Sequence, residues 1–261
     1  MSDVPADDRG FTLGDGLFET ILADRGRLVL WDEHLARLAR GCEALGLPAP
    51  GPRDCERAAG AALAQAGLST ERAAVRITWS AGSGGRGLDR PPAPLPRLVV
   101  AAAPASKPSG AAVLATAAVR RNPGSPTSRL KTLAYLDNVL AREEARRAGA
   151  DEALMLNTAG EVACAAAANL FWVEGREILT PALSAGVLDG VIRGALIARA
   201  RAAGLAVREV VAPRSALASV EAAWLTNSLI GVRPVARLDG NDIPDADGWS
   251  RRAAALVSDL I

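Results

Sequence analysis

The chain reads as an α+β protein built from a smaller N-terminal α/β unit and a larger C-terminal unit, and three observations predict this. Apolar residues at helical spacing alternate with strand-like runs in the N-terminal part. A Pro/Ser/Gly stretch, Pro104 to Gly110, then interrupts the pattern. After Gly149, short strands follow one another with only tight turns between them. We place the first domain at 1–105, the linker at 106–111, and a second domain carrying Lys131 at 112–261.

The first elements follow from spacing. Gly14-Asp15-Gly16 precedes Leu17 to Leu22, and the turn Asp24-Arg25-Gly26 leads into Leu28-Val29-Leu30, which reads as a β-hairpin. Asp32 is the expected N-cap of a helix with Leu35, Leu38, Cys42 and Leu45 on one stripe, stopped by Gly46 and Pro48. Arg37 and His34 lie off that stripe. A second helix spans roughly Pro52 to Gln65, and Ala73 to Trp79 and Leu98 to Ala103 read as strands. The intervening loop Ser80 to Gly87 is glycine-rich. It could cradle a phosphate, but it lacks the Gly-Lys-Ser/Thr ending of a P-loop, and the other reading is a mobile loop facing substrate.

In the second domain a strand is expected at Ala112 to Val119, followed by an arginine-bearing loop, Arg120 to Pro126. A helix follows from about Asp137 to Ala148, with Glu143 and Arg147 spaced as an i,i+4 pair. Strands at Ala153 to Asn157, Val162 to Cys164, Leu170 to Val173 and Glu177 to Thr180 read as a meander. Gly186 to Arg193 opens a helix ending near Gly204, with further strands at Val207 to Val211 and Ala222 to Leu225.

Composition narrows the function. The formal net charge of the 261 residues is +1, which gives no electrostatic case for nucleic acid or an anionic membrane. Charges or Pro/Gly interrupt every apolar run before it reaches spanning length, and the acidic start, Met1 to Arg9, does not read as a secretory signal. Cys42, Cys55 and Cys164 are widely spaced, as expected of reduced thiols in a cytoplasm. With His34 as the single histidine, a histidine-based metal cluster and a Ser-His-Asp triad both lack material.

Lysine occurs only at Lys107 and Lys131. Lys107 sits in the solvated linker, whereas Lys131 lies between Leu130 and the run Leu133, Tyr135, Leu136. An amine in apolar surroundings loses stabilisation of its charged form and becomes a nucleophile or Schiff-base former; the other reading is a side chain snorkelling from a half-buried element. Three further features suit an anionic, lysine-bound cofactor: the helix start at Asp189 to Arg193 with the amides of Val191 and Ile192, the loop Thr226-Asn227-Ser228, and Arg37.

Taken in order, Gly14 to Thr20, His34 to Leu38, Lys131 to Ala141, Asn169-Leu170-Phe171-Trp172, Gly186 to Arg193 and Thr226 to Leu229 resemble the class IV aminotransferase family of pyridoxal-phosphate enzymes. The resemblance implies fold type IV, a two-layer α/β N-terminal domain plus a barrel-like C-terminal domain, and a cytoplasmic homodimer acting on a small-molecule amine. It implies that pyridoxal 5'-phosphate is bound to Lys131 as a Schiff base, with Arg37, Val191, Ile192, Asn227 and Ser228 as cofactor residues and Arg86 and Asn169 toward substrate. Where the family usually carries a glutamate beside the pyridine nitrogen, this chain has Cys164. Glu161, three residues earlier, should face the other way on a strand. The implied chemistry is a lyase reaction that makes an aromatic amine and releases pyruvate. Alternatives are transamination of branched-chain or D-amino acids, and a weakly active cofactor-binding protein.

Overall fold

The computed structural model describes residues 4–261, so Met1, Ser2 and Asp3 of the acidic start lie outside the described residues. By its contacts the chain forms two units. One runs through Ser106 and regains Leu130–Ala134; the other comprises Lys107–Arg129 and Tyr135–Ile261.

The first unit contains α1 (Arg9–Leu13), β1 (Gly16–Asp24), β2 (Arg27–Leu28), α2 (Trp31–Leu45), α3 (Pro52–Gln65), β3 (Ala73–Ser80) and β4 (Arg97–Pro104). The strands form an antiparallel sheet in the order β2-β1-β3-β4, with the expected hairpin at β1 and β2. Leu17 and Ile21 of β1 and Ile77 of β3 bury against Leu38 and Cys42 of α2 and Cys55 of α3. All three cysteines are free and buried. Helix α2 starts one residue before its expected cap: Leu30 occupies the cap position at φ 52 with no side-chain cap, and Asp32 and Glu33 sit in the first turn, where the helix dipole favours acids. Helix α1 is too short to show a period in sequence. Asp8 caps it, Oδ1 accepting from the N–H of Gly10 at 2.8 Å.

The glycine loop is folded around one arginine. Arg9, 5% exposed, donates to the carbonyls of Gly87, Leu88 and Asp89 at 3.3, 2.9 and 3.0 Å, and its Nε donates to Asp15 at 2.9 Å. Gly82 and Gly85 have φ +79 and +83, and a Cβ there would lie 1.9 Å from the Leu95 carbonyl oxygen and 2.1 Å from that of Asp89. The glycines are thus needed for a tight, internally bonded turn.

Lys131 is grouped with this unit, whereas the sequence reading put it in the second domain. The reason is backbone pairing. The Phe18 N–H donates to the Lys131 carbonyl at 2.9 Å, the Leu133 N–H donates to that of Gly16 at 3.0 Å, and Leu17 bridges Thr132. Leu130 packs into the apolar cluster of β1 and α2.

The second unit contains β5 (Ala112–Arg121), α4 (Leu136–Arg147), β6 (Glu152–Asn157), β7 (Val162–Ala165), β8 (Asn169–Glu174), β9 (Glu177–Pro181), α5 (Val191–Ala202), β10 (Val207–Val210), β11 (Ala222–Asn227), β12 (Gly231–Leu238), β13 (Asn241–Asp242) and α6 (Trp249–Leu256). Its sheet runs β10-β9-β8-β11-β12-β5-β6-β7, with β13 on β12. The expected meander is not formed: β6–β7 and β8–β9 are separate hairpins, placed apart in the order because β8 pairs with β11. The sheet curls until its ends meet, the Val162 N–H donating to the Ala212 carbonyl at 2.8 Å beside a Glu161–Pro213 bridge. That barrel-like closure explains why β6 and β7 are buried along their whole length, with both faces covered. Arg120 and Arg121, expected in a loop, extend β5, and Glu143 pairs with Arg146 rather than Arg147. Helix α6 and strand β12 escaped the sequence reading, because alanine and arginine dilute their patterns.

Replacing Arg9 with Met keeps bulk but strands three carbonyls and leaves Asp15 to Arg90 alone, whose Nε donates to it at 2.9 Å. Chemical denaturation should show a loss of about 2 kcal/mol, in the range for removing hydrogen bonds made by a charged group. A loss below about 1 kcal/mol would mean that the loop stands without its arginine.

Candidate active site

In the first unit the decisive side chains come from β1, α2, β3 and the paired segment 130–134. Lys131 lies opposite Phe18, its Nζ 4.2 Å from the ring centre, while the Arg76 guanidinium stands 3.8 Å from the same centre. Next to Phe18, Glu19 is 1% exposed, in a strand whose neighbours are apolar. Its carboxylate accepts from Arg37 Nε at 2.8 Å and Nη2 at 2.5 Å, and from Nδ1 of the fully buried His34 at 2.7 Å. Burial pushes the Glu19 carboxyl up, but the Arg37 and His34 hydrogen bonds outweigh it and hold the group at about 2. An ionised carboxylate only accepts, so His34 Nδ1 carries the hydrogen. Burial, opposed by Glu19, lowers the His34 pKa.

Burial, reinforced by the Arg37 and Arg76 charges and opposed by Glu19, lowers Lys131 from 10.5 to about 8. About a tenth of an amine with that value is uncharged at pH 7, far more than of an ordinary lysine, and that form is reactive toward a carbonyl. Glu19, His34, Phe18 and Arg76 were not singled out by sequence reasoning. A signal existed for Glu19, an acid inside an apolar strand.

In the second unit α5 begins at Val191 with Gly190 as its cap, and no side chain caps it. The amides of Val191 and Ile192 belong to the first turn, where helical N–H groups have no partner within the helix. Asn169, 6% exposed at the start of β8, donates through Nδ2 to the Leu188 carbonyl at 2.9 Å, and a Cβ on Gly190 would lie 2.0 Å from its Oδ1. Thr226 pairs across β11 with Asn169, and its buried Oγ1 has no hydrogen-bond partner. Asn227 is committed locally: Nδ2 donates to the Ala167 carbonyl, and Oδ1 accepts from the N–H groups of Leu229 and Ile230, each at 2.9 Å. That shapes the turn on which Ser228 sits. Arg193, 3% exposed, ties the first turn of α5 to the Pro181 carbonyl at 3.0 Å and Glu209 at 2.7 Å. Cys164 lies in an alanine-rich cluster, and burial raises its thiol, with Arg121 opposing and Glu152 adding. Arg86 is exposed in the glycine loop, where its carbonyl accepts from the Asp89 N–H at 3.1 Å.

Residues 16–238 match the family described as Amino-transferase class IV. The chain belongs to that family. Aminodeoxychorismate lyase of Bacillus subtilis (strain 168) is 29% identical over 259 residues, 96% of this chain and 86% of the relative. The branched-chain-amino-acid aminotransferase of Escherichia coli (strain K12) is 33% identical over 106 residues, 41% of this chain and 34% of the relative. Among solved structures, a hypothetical aminotransferase from Mycobacterium tuberculosis in its PLP-bound form has a TM-score of 0.84 at 27% identity, covering 99% of this chain and 95% of that one. The chain is a pyridoxal-phosphate-dependent enzyme of fold type IV.

The residues present fit that cofactor. An uncapped helix start and an unpartnered buried Thr226 hydroxyl suit a phosphate, and a half-buried amine of lowered pKa suits an aldehyde. When borohydride reduces the holoprotein, peptide mapping should find the cofactor on Lys131 and not on Lys107. The rate of cofactor uptake by stripped protein should climb as pH rises through about 8, where the Lys131 ammonium loses its proton. Label on Lys107, or a rate flat across that window, would sink the assignment. Gly190→Ala should weaken cofactor retention, read by equilibrium dialysis, by about tenfold or more, because the new Cβ displaces Asn169 Oδ1 and shifts the helix start.

Proposed function

We propose that the chain is a lyase acting on 4-amino-4-deoxychorismate, releasing pyruvate and leaving 4-aminobenzoate, a folate precursor, and that it works as a cytoplasmic homodimer. The observation that carries this reading is Cys164, a buried thiol among alanines whose pKa burial raises, so that it is neutral at working pH. The relative aligned over 96% of the chain supports it, being an aminodeoxychorismate lyase.

In this reading Lys131 carries the cofactor and then, as a neutral amine, takes the ring proton of the substrate at Nζ. Phosphate binding falls to Arg37, the amides of Val191 and Ile192, and Ser228, with Asn227 fixing the turn. Asn169 and Arg193 set the helix start. When bound, pyridoxal phosphate supplies an electron sink conjugated to the substrate amine. A carboxylate at position 164 would keep the pyridine nitrogen protonated and strengthen that sink; a neutral thiol does not. Transamination depends on storing electrons there, whereas elimination with aromatisation carries them away into product. Arg86, exposed on the glycine loop, is assigned to substrate carboxylates.

Transamination of branched-chain or D-amino acids is the second reading, motivated by the Escherichia coli relative. Incubating the protein with 4-amino-4-deoxychorismate, and separately with amino acids plus 2-oxoglutarate, separates the two. We expect pyruvate and aromatic amine from the first and little turnover in the second, with Cys164→Glu raising transamination more than elimination. Wild-type transamination at about 1 to 1000 per second, unchanged in Cys164→Glu, would favour the transaminase.

A further inference from the structure

An acid buried in an apolar strand is costly unless it is fully bonded, and exchanging a buried ion pair for apolar side chains is often neutral or stabilising. Stability alone therefore does not call for Glu19, although α2 devotes two side chains to it. Arg37 grips both carboxylate oxygens, and His34, with no exposed surface, donates to one of them. On the far side of the same strand segment, Phe18 carries Lys131 and Arg76 over its ring. Arg37 on one face of β1 and Arg76 and Lys131 on the other thus bring three cations to the Phe18-Glu19 stretch, and Glu19 is the carboxylate on it.

We propose that Glu19, braced by His34, is a positioning residue of the lysine site: it orients the Arg37 guanidinium and supplies the negative charge that holds a proton at the Lys131 nitrogen. The inference rests on the reading that Lys131 carries the cofactor. The charged groups acting on Lys131 are Arg37, Arg76 and Glu19, and only Glu19 opposes loss of the proton. Without it the two guanidiniums act unopposed, and the nitrogen deprotonates at lower pH. Arg37 also loses the oxygens that fix its rotamer, so a phosphate bound to it is held less well.

The test uses the full-length, cofactor-loaded enzyme and two readouts besides activity. Borohydride mapping first establishes that Lys131 bears the cofactor; absence of label there overturns the underlying reading rather than this one. With Lys131 labelled, the visible absorbance of the bound cofactor is titrated against pH. Glu19→Gln should move the midpoint down by about one unit and weaken cofactor retention about tenfold. Glu19→Asp, which keeps the charge, should restore most of the midpoint. If Glu19→Gln does not fold, Glu19→Met removes the charge at similar volume and makes the same comparison with Glu19→Asp. A purely structural Glu19 predicts lowered thermal stability with an unmoved midpoint in both the charge-keeping and charge-removing variants, and that result would overturn the proposal.

Discussion

Backbone pairing of Leu130–Ala134 with the start of β1 is the constraint on which the lysine site depends. Two hydrogen bonds, from the Phe18 and Leu133 amides, set the register, and register decides which side chains face one another. A slip of one residue would send Lys131 to the opposite face and put Leu130 or Thr132 over Phe18. Leu130 resists that slip because it packs with the β1 and α2 cluster. Gly16 is crowded from both neighbours: a Cβ there would lie 2.4 Å from the Trp79 carbonyl oxygen of β3 and 2.9 Å from Leu133 Cδ1 of the paired segment.

Electrostatics build on that register. Burial alone disfavours charge on Lys131, and two guanidiniums deepen the effect, so the amine reaches about 8 only because Glu19 pulls the other way. Glu19 in turn stays ionised because three donor atoms face it. The same bonds make acid a threat to the fold. Glu19 is held at about 2 against 4.5 unfolded, so the stability it contributes is present above 4.5 and is lost as pH falls toward 2. His34, with a lowered pKa, adds to the loss, since unfolded chains take up its proton first.

The second unit leaves the first turn of α5 without a side-chain cap and fixes it through the strands beside it. Curling the sheet until Val162 meets Ala212 satisfies its edge, and Arg193 clamps the first turn of α5 to β9 and β10. Gly190 leaves room for Asn169, whose amide ties the approach to the helix. The Asn169 side chain therefore serves the helix start, and Asn227 serves its own turn. Sequence places both among the groups around a ligand, and both amides bond within the unit as well. Polar residues beside a site fill supporting roles as readily as direct ones, and residue type cannot separate the two.

Sequence by itself determined the two-unit α+β plan, most helices and strands, the family, its cofactor and the unusual lysine. These are local in character: period, turn chemistry and short motifs survive without knowledge of partners. Tertiary structure decided that Lys131 groups with the first unit, that the expected meander is two separated hairpins, that the glycine loop is wound on Arg9, and that Glu19 and His34 stand behind Arg37. Each of these is a pairing between residues far apart in the chain. Strand partners and buried charge partners are chosen by packing and desolvation across the whole unit, and a linear pattern carries no record of that choice.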